Sequence, residues 1–142
     1  MTIKIFTDGS FKKKVIAWGF VVVDDGIEIF RKSGTVSNPP KDLVKLANVG
    51  AEIKAVQEAI FWAKSENISD VIIYTDYQQI ETWSVGRKKP RNYYIQKYSK
   101  WIKRQTISVV FKWIGRNSGN RHNKSAHKIA NKAARVAANT GD

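Results

Sequence analysis

The chain contains 142 residues, of which 42% are hydrophobic, and it has no cysteine. This length predicts one packed domain over residues 1–142. The absence of cysteine excludes disulfide scaffolds, thiolate metal sites and cysteine nucleophiles. Lysine and arginine total 25 against 12 acidic residues, a formal net charge of +13 that predicts a polyanionic partner, nucleic acid above all.

The basic residues cluster, which a merely solubilising surface would not require. The clusters are Lys12–Lys14, Arg87–Arg91 and a series at helical spacing formed by Lys124, Lys128, Lys132 and Arg135. No apolar stretch approaches the ~20 residues of a membrane-spanning helix, and the N-terminus leads directly into a strand-like run. We therefore expect a soluble, cytoplasmic monomer that binds nucleic acid and no membrane.

Hydrophobic periodicity predicts nine elements in the order β-β-β-α-β-α-α-β-α. In chain order they are strands Ile3–Thr7, Ala17–Val23 and Glu28–Lys32, a helix within Leu43–Ser65, strand Val71–Tyr74, helices Tyr77–Val85 and Asn92–Arg104, strand Ser108–Ile114 and helix Asn123–Ala138. Three meandering strands followed by alternating helices and strands predict an α/β fold, a mixed sheet with helices on both faces.

Three acidic residues occupy positions where an ordinary soluble fold disfavours a charge. Asp8 and Asp76 end apolar, β-branched runs, and Glu52 lies four residues before Val56 on the apolar stripe of the first long helix. In a parallel pairing of the two strands, both aspartates fall at the strand ends where ligands bind. Crowded carboxylates repel one another unless a cation joins them, and oxygen ligands suit Mg²⁺ or Mn²⁺.

Each of these residues also has an ordinary structural explanation. Asp8 could be a turn residue before Gly9, Glu52 could interact with the dipole at a helix start, and Asp76 could cap a helix. Their combination in this order is what favours a metal site over these three separate explanations.

The same residues resemble those of the type 1 ribonuclease H family. The likeness rests on Thr7-Asp8-Gly9-Ser10, on Asn48-Val49-Gly50-Ala51-Glu52, on Tyr74-Thr75-Asp76, and on Lys112-Trp113-Ile114 followed by Gly119, Asn123 and Ala126 before an alanine-rich helix. The resemblance implies a five-stranded mixed sheet with strand order 3-2-1-4-5. It also implies cleavage of the RNA strand of RNA–DNA hybrids with two divalent ions.

By this resemblance, Asp8 would bridge both ions while Glu52 and Asp76 hold the one nearer the leaving oxygen. The fourth carboxylate of the family falls on His127, which is therefore the predicted fourth metal ligand. Because neutral imidazole suits Mn²⁺ better than Mg²⁺, we expect Mn²⁺ to be the preferred of the two ions.

The resemblance also implies a set of substrate contacts. A mobile histidine of the family's last loop is replaced by Asn117, and His122 could substitute for it. Selection of a hybrid would rest on 2′-OH contacts and groove shape. The expected substrate-binding residues are Gly9, Ser10, Asn48, Lys88, Lys89, Asn117 and Asn123.

Two other functions remain open at this level. The histidine at position 127 allows a catalytically weak or inactive hybrid-binding module, and the fold would also serve a related nuclease or a strand-transfer enzyme acting on DNA. The three carboxylates argue against the first, since a binding module has no reason to keep buried carboxylates crowded together.

Overall fold

The computed structural model describes residues 2–86, 90–115 and 118–140. Its elements, in chain order, are β1 (Ile3–Lys12), β2 (Val15–Asp24), β3 (Ile27–Thr35), α1 (Lys41–Lys45), α2 (Asn48–Ser65), β4 (Asp70–Thr75), α3 (Gln78–Ser84), α4 (Tyr93–Lys103), β5 (Ser108–Trp113) and α5 (Arg121–Thr140). Among the described helices, none is long and apolar enough to cross a bilayer.

The strands form one five-stranded sheet in the order β3-β2-β1-β4-β5. β2 pairs antiparallel with β1 and β3, while β4 runs parallel to both β1 and β5. This confirms the predicted mixed sheet and its strand order. It places the short apolar strand β4 in the interior of the sheet, where Val71, Ile73 and Thr75 on one face are buried and Ile72 and Tyr74 on the other are half-buried.

The helix predicted within Leu43–Ser65 is divided in two at Ala47. This residue has a positive φ of 52°, which no helix accommodates, so α1 ends at Lys45 and α2 begins at Asn48. Neither proline nor glycine marks the break, which is why the apolar pattern alone predicts one continuous helix. After this break, the backbone of Ala51 and Glu52 in α2 lies against Gly9 of β1.

Two helices cover opposite faces of the sheet. The α2 face holds the larger core, in which Ile5, Phe20 and Ile60 are fully buried. The α5 face holds a smaller cluster, in which Ala126 packs with Phe6, Val21 and Val23 of the sheet. A Cβ atom added to Gly19 of β2 would lie 2.7 Å from Ile129 Cγ1 and 3.0 Å from the Ala130 nitrogen.

Strand β1 is longer than predicted, and this changes the position of Asp8. The strand continues to Lys12, because its antiparallel pairing with β2 extends to that residue. The parallel pairing of β1 with β4, however, ends at Phe6 and Tyr74. Asp8 is therefore inside a strand rather than at its end, yet it and Asp76 both lie two residues beyond the parallel ladder.

Candidate active site

Three acidic side chains from three different elements meet at this edge of the sheet. Asp8 of β1, Glu52 of α2 and Asp76 after β4 each offer a carboxylate oxygen, and these oxygens lie within 4.8 Å of one another. Asp8 and Glu52 are buried, with 1% and 3% of their surface exposed, and Asp76 is half-buried. The predicted trio thus converges into a group that could hold a metal ion.

The carboxyl group of Glu52 is in an unfavourable environment for a charge. Burial raises the pKa of Glu52 well above its usual range, and the charge of Asp8, a hydrogen bond to Asp8 and the charge of Asp76 raise it further. A hydrogen bond from the Gly9 backbone opposes these effects. The Oε2 atom of Glu52 is buried and has no hydrogen-bond partner in the described parts of the chain. A divalent cation would compensate both the repulsion and the unpaired oxygen.

Gly9 is required for the close approach of α2 to β1. A Cβ atom at this position would overlap the backbone of Ala51 and Glu52. The approach brings the first turns of α2 against the strand that carries Asp8, and so places the two carboxylates side by side. The structure therefore gives Gly9 a packing role in the site, whereas its predicted contact with substrate stays a prediction.

His127 reaches the same site from α5. Its Nδ1 atom lies 2.6 Å from Asp8 Oδ2, and its Nε2 atom lies 2.9 Å from the Asn131 side-chain nitrogen. Just over half of the His127 side chain is exposed, whereas the Asp8 side chain is buried. The group able to hold a metal ion comprises the three carboxylates without His127. Its role as fourth ligand stays a prediction.

Sequence reasoning did not identify Asn131 as a site residue. Its Oδ1 atom accepts a hydrogen bond of 2.7 Å from the Ser10 hydroxyl, so the side chain joins His127 to β1. A usable signal was present, because residues four apart on a helix face the same side. Ser10 was predicted as a substrate contact, and the structure shows that its hydroxyl is engaged with α5.

A cavity of about 280 Å³ opens beside the carboxylates. Its lining consists of Asp76, Asn123, Lys124, His127 and Lys128. The Asn123 side chain is buried, and its Oδ1 atom has no hydrogen-bond partner among the residues that the structure describes. Two exposed lysines at its rim make the cavity suitable for an anionic ligand next to the acidic group.

Two of the remaining predicted positions, Asn48 and His122, are described by the structure and are not part of the acidic group. Asn48 is exposed at the first turn of α2. His122 belongs to the first turn of α5 rather than to a loop, and its ring lies 5.3 Å from that of Phe6. Burial, and then the charge of Arg121, lowers the pKa of His122. Positions Lys88, Lys89 and Asn117 fall outside the described residues.

A known protein family matches the part of the chain that carries most of these residues. A family model described as reverse transcriptase-like matches residues 40–133, about two thirds of the chain. The chain belongs to the reverse transcriptase-like family. The matched range contains Glu52, Asp76 and His127, whereas Asp8 precedes it. No curated protein matches this reverse transcriptase-like chain in sequence.

Solved structures extend the likeness over nearly the whole length. The N-terminal RNase H domain of a Mycobacterium tuberculosis protein has 16% identity and a TM-score of 0.78, covering 99% of both chains. RNase H1 from the archaeon Halobacterium salinarum has 18% identity and a TM-score of 0.77, covering 96% of this chain and 99% of its own. LC11-RNase H1, solved in complex with an RNA/DNA hybrid, has 20% identity, a TM-score of 0.77 and the same coverage. These likenesses confirm the ribonuclease H fold.

Proposed function

We propose that this protein is a divalent-metal-dependent endonuclease that hydrolyses the RNA strand of RNA–DNA hybrids. The observation that carries the proposal is the convergence of Asp8, Glu52 and Asp76 from three elements, with oxygens within 4.8 Å of one another. An inert fold gains nothing from buried, mutually repelling carboxylates, and such groups mark functional sites. One of the structures with this fold was solved with an RNA/DNA hybrid, which supports the choice of substrate.

The three carboxylates would hold two Mg²⁺ or Mn²⁺ ions, with Asp8 shared between them. When bound, these ions lower the pKa of a water nucleophile and neutralise charge on the scissile phosphate. The protein's contribution is to fix the carboxylates before the substrate arrives. Asp8 is held by the strand ladder, and Glu52 is held by close packing of α2 on Gly9.

The basic residues would hold the phosphate backbones of the hybrid. Lys124 and Lys128 are exposed at the rim of the cavity beside Asp76, where a phosphate would meet both the lysines and the metal site. Lys88 and Lys89 supply a second basic segment, and Asn48 is exposed at the start of α2. Such contacts bind without regard to base sequence, as a general hybrid nuclease requires.

A hybrid-binding module with weak or no cleavage is the second candidate. The observation that favours it is the contact of His127 with Asp8, since by the resemblance this histidine takes the position of a carboxylate of the family. Such a module would bind hybrid with the same salt dependence and would turn over little or no RNA with either ion.

A cleavage assay separates these functions. The substrates are end-labelled RNA–DNA hybrid, RNA duplex and DNA duplex, each incubated with Mg²⁺ and with Mn²⁺, and with chelator as the blank. We expect metal-dependent cuts within the RNA strand of the hybrid alone. Hybrid binding without cleavage would establish the binding module, and cleavage of duplex DNA would establish the related nuclease.

A further inference from the structure

An unbroken row of hydrogen-bonded side chains joins β1 to α5 beside the carboxylates. It runs from Ser10 Oγ to Asn131 Oδ1 over 2.7 Å, from Asn131 Nδ2 to His127 Nε2 over 2.9 Å, and from His127 Nδ1 to Asp8 Oδ2 over 2.6 Å. Both ends lie on the same strand two residues apart, so they point to the same face of the sheet. The row is therefore a closed loop anchored on β1.

The atoms that face one another give the donors and acceptors of this row. The Ser10 hydroxyl donates to Asn131 Oδ1, which turns the NH₂ group of the amide toward the histidine ring. An amide NH₂ can only donate, so Nε2 of His127 must be the acceptor and carries no proton. The proton of the neutral ring is then on Nδ1, which donates to the carboxylate of Asp8, an acceptor-only group.

The packing of α5 on the sheet fixes the helix backbone that carries the ring. Ala126 and Ala130, which precede His127 and Asn131, are fully buried against β2. Across that strand, Asp8 pairs with Gly19, whose missing side chain lets the helix approach. The helix backbone is thus held at a fixed height above β1, and the two polar side chains span the remaining gap.

We propose that His127 is a positioning residue that orients Asp8 through its Nδ1 proton, and that Asn131 and Ser10 select the tautomer that makes this possible. Both ring nitrogens are engaged, so the ring has no free lone pair for a metal ion. The bond fixes the Asp8 carboxylate with Oδ2 toward α5, and this carboxylate would help to hold a cation together with Glu52. The relevance to metal binding rests on the proposed function, whereas the hydrogen-bond pattern is a property of the metal-free protein.

The tautomer can be read directly from the ring nitrogens. The chain has two histidines, so a long-range ¹H–¹⁵N correlation spectrum of the labelled protein shows two rings, and His122→Asn assigns them. At slightly alkaline pH without metal, we expect Nδ1 of His127 to resonate in the protonated range and Nε2 in the unprotonated range. A proton on Nε2 in the wild-type protein, with or without one on Nδ1, would overturn the proposal.

Variants test whether Asn131 and Ser10 select the tautomer of His127. Asn131→Asp replaces the donor by a carboxylate that only accepts, so we expect Nε2 of His127 to carry a proton and the wild-type pattern to be lost. Asn139→Asp introduces the same charge on the same helix at an exposed position and leaves the ring pattern unchanged. Ser10→Ala releases the amide and mixes the two patterns, whereas Ser10→Thr keeps the hydroxyl and the wild-type pattern. A wild-type pattern in Asn131→Asp would show that Asn131 does not select the tautomer.

A titration with Mg²⁺, followed by the same spectrum and by calorimetry, tests the ligand alternative. We expect the Nδ1 proton of His127 to persist at saturation, and Asn131→Leu to weaken Mg²⁺ binding by about tenfold, the low end of the usual cost of losing a supporting hydrogen bond. Loss of the Nδ1 proton on Mg²⁺ binding would make His127 a ligand and overturn the proposal. If calorimetry shows that the wild-type protein binds neither Mg²⁺ nor Mn²⁺, the proposed nuclease function fails, while the tautomer of the metal-free ring is still decided by the first spectrum.

Discussion

At the scale of single residues, the site is defined by how burial acts on three acidic side chains. The carboxyl of Glu52 is buried against Asp8, and burial together with that neighbouring charge raises the pKa of Glu52 well above its usual range. A protein can accept this cost at a site where a cation restores the balance. Removing one charge should therefore have opposite effects on stability and on activity.

Asp8→Asn is expected to abolish cleavage of hybrid while the protein stays folded. One carboxylate is proposed to serve both ions, so its loss removes water activation and leaving-group stabilisation together. In chelator, relief of repulsion should raise the melting temperature, by roughly 4 °C for a gain of about 1 kcal/mol in a domain of this size. Asp25→Asn, in the exposed turn between β2 and β3, is the matched control. Near-wild-type turnover in Asp8→Asn would refute the metal assignment.

Substitutions of His127 distinguish a ligand from a positioning residue by activity. The amide nitrogen of His127→Asn sits near the place of Nδ1 and can still donate to Asp8, so we expect cleavage with Mg²⁺ and Mn²⁺ to fall by less than tenfold, with the same preference between the ions. His127→Asp removes the donor and adds repulsion, and should lose more. If His127 is instead the fourth metal ligand, His127→Asp should improve Mg²⁺-dependent cleavage and should be more active than His127→Asn. Steady-state rates over both metal titrations decide between them.

At the scale of elements, close approaches bring the side chains together. α2 approaches β1 over Gly9, and α5 approaches β2 over Gly19, with alanines on the helix side. The apolar stripe of α2 made the inward direction of Glu52 predictable, and its burial confirms it. The break before α2 was not predictable, because Ala47 takes a positive φ that its sequence neighbours do not favour.

Gly9→Ala tests the contact between β1 and α2. The added methyl group would overlap the backbone of Ala51 and Glu52, which cannot rotate away as a side chain can. We expect a loss of about 1–3 kcal/mol in the free energy of unfolding, as overpacking usually costs, together with a large loss of activity. Gly115→Ala is the control, since a Cβ atom there meets nothing within 4 Å. Denaturant unfolding of both variants is the measurement, and equal stability would contradict this packing role.

At the scale of the whole molecule, a net charge of +13 surrounds a small acidic centre. The basic surface would attract a polyanion over the distance that ionic screening allows, and by the proposed function the carboxylates would hold cations where its phosphates arrive. Affinity for hybrid should therefore fall steeply with salt, whatever the base sequence.

Pairs of lysine substitutions should reduce that salt dependence. For Lys88 and Lys89, and separately for Lys124 and Lys128, replacement by Ala should weaken hybrid binding about equally for any sequence. The slope of log affinity against log salt should flatten by up to ~1 for each phosphate that the variant no longer neutralises. Replacement of Lys4, which lies near the start of β1 and lines a different cavity together with Asp24 and Asp25, is the control. Fluorescence anisotropy across a salt series gives the slopes, and an unchanged slope in a pair would exclude that pair from the interface.

The sequence by itself was sufficient to identify the three acidic residues of the site and the type of element that carries each. A strand-like run before Asp8, a helical stripe through Glu52 and an apolar run before Asp76 are local patterns, and local backbone preference and hydrophobic period are sufficient to read them. The net basic charge likewise predicted a nucleic-acid partner without any knowledge of the fold. The strand order came from resemblance to a known family rather than from these patterns.

Tertiary structure decided what His127 contacts. Its hydrogen bond to Asp8 joins residues 119 positions apart, and the bond between Ser10 and Asn131 joins residues 121 apart. Which nitrogen faces which oxygen depends on the height and rotation of α5 on the sheet, and those are set by Gly19 and the buried alanines at the interface. The ligand role of His127 stays a prediction that rests on its position in the family pattern. Its hydrogen bonds could not be predicted in this way, because donors and acceptors are assigned only once side chains from distant elements meet.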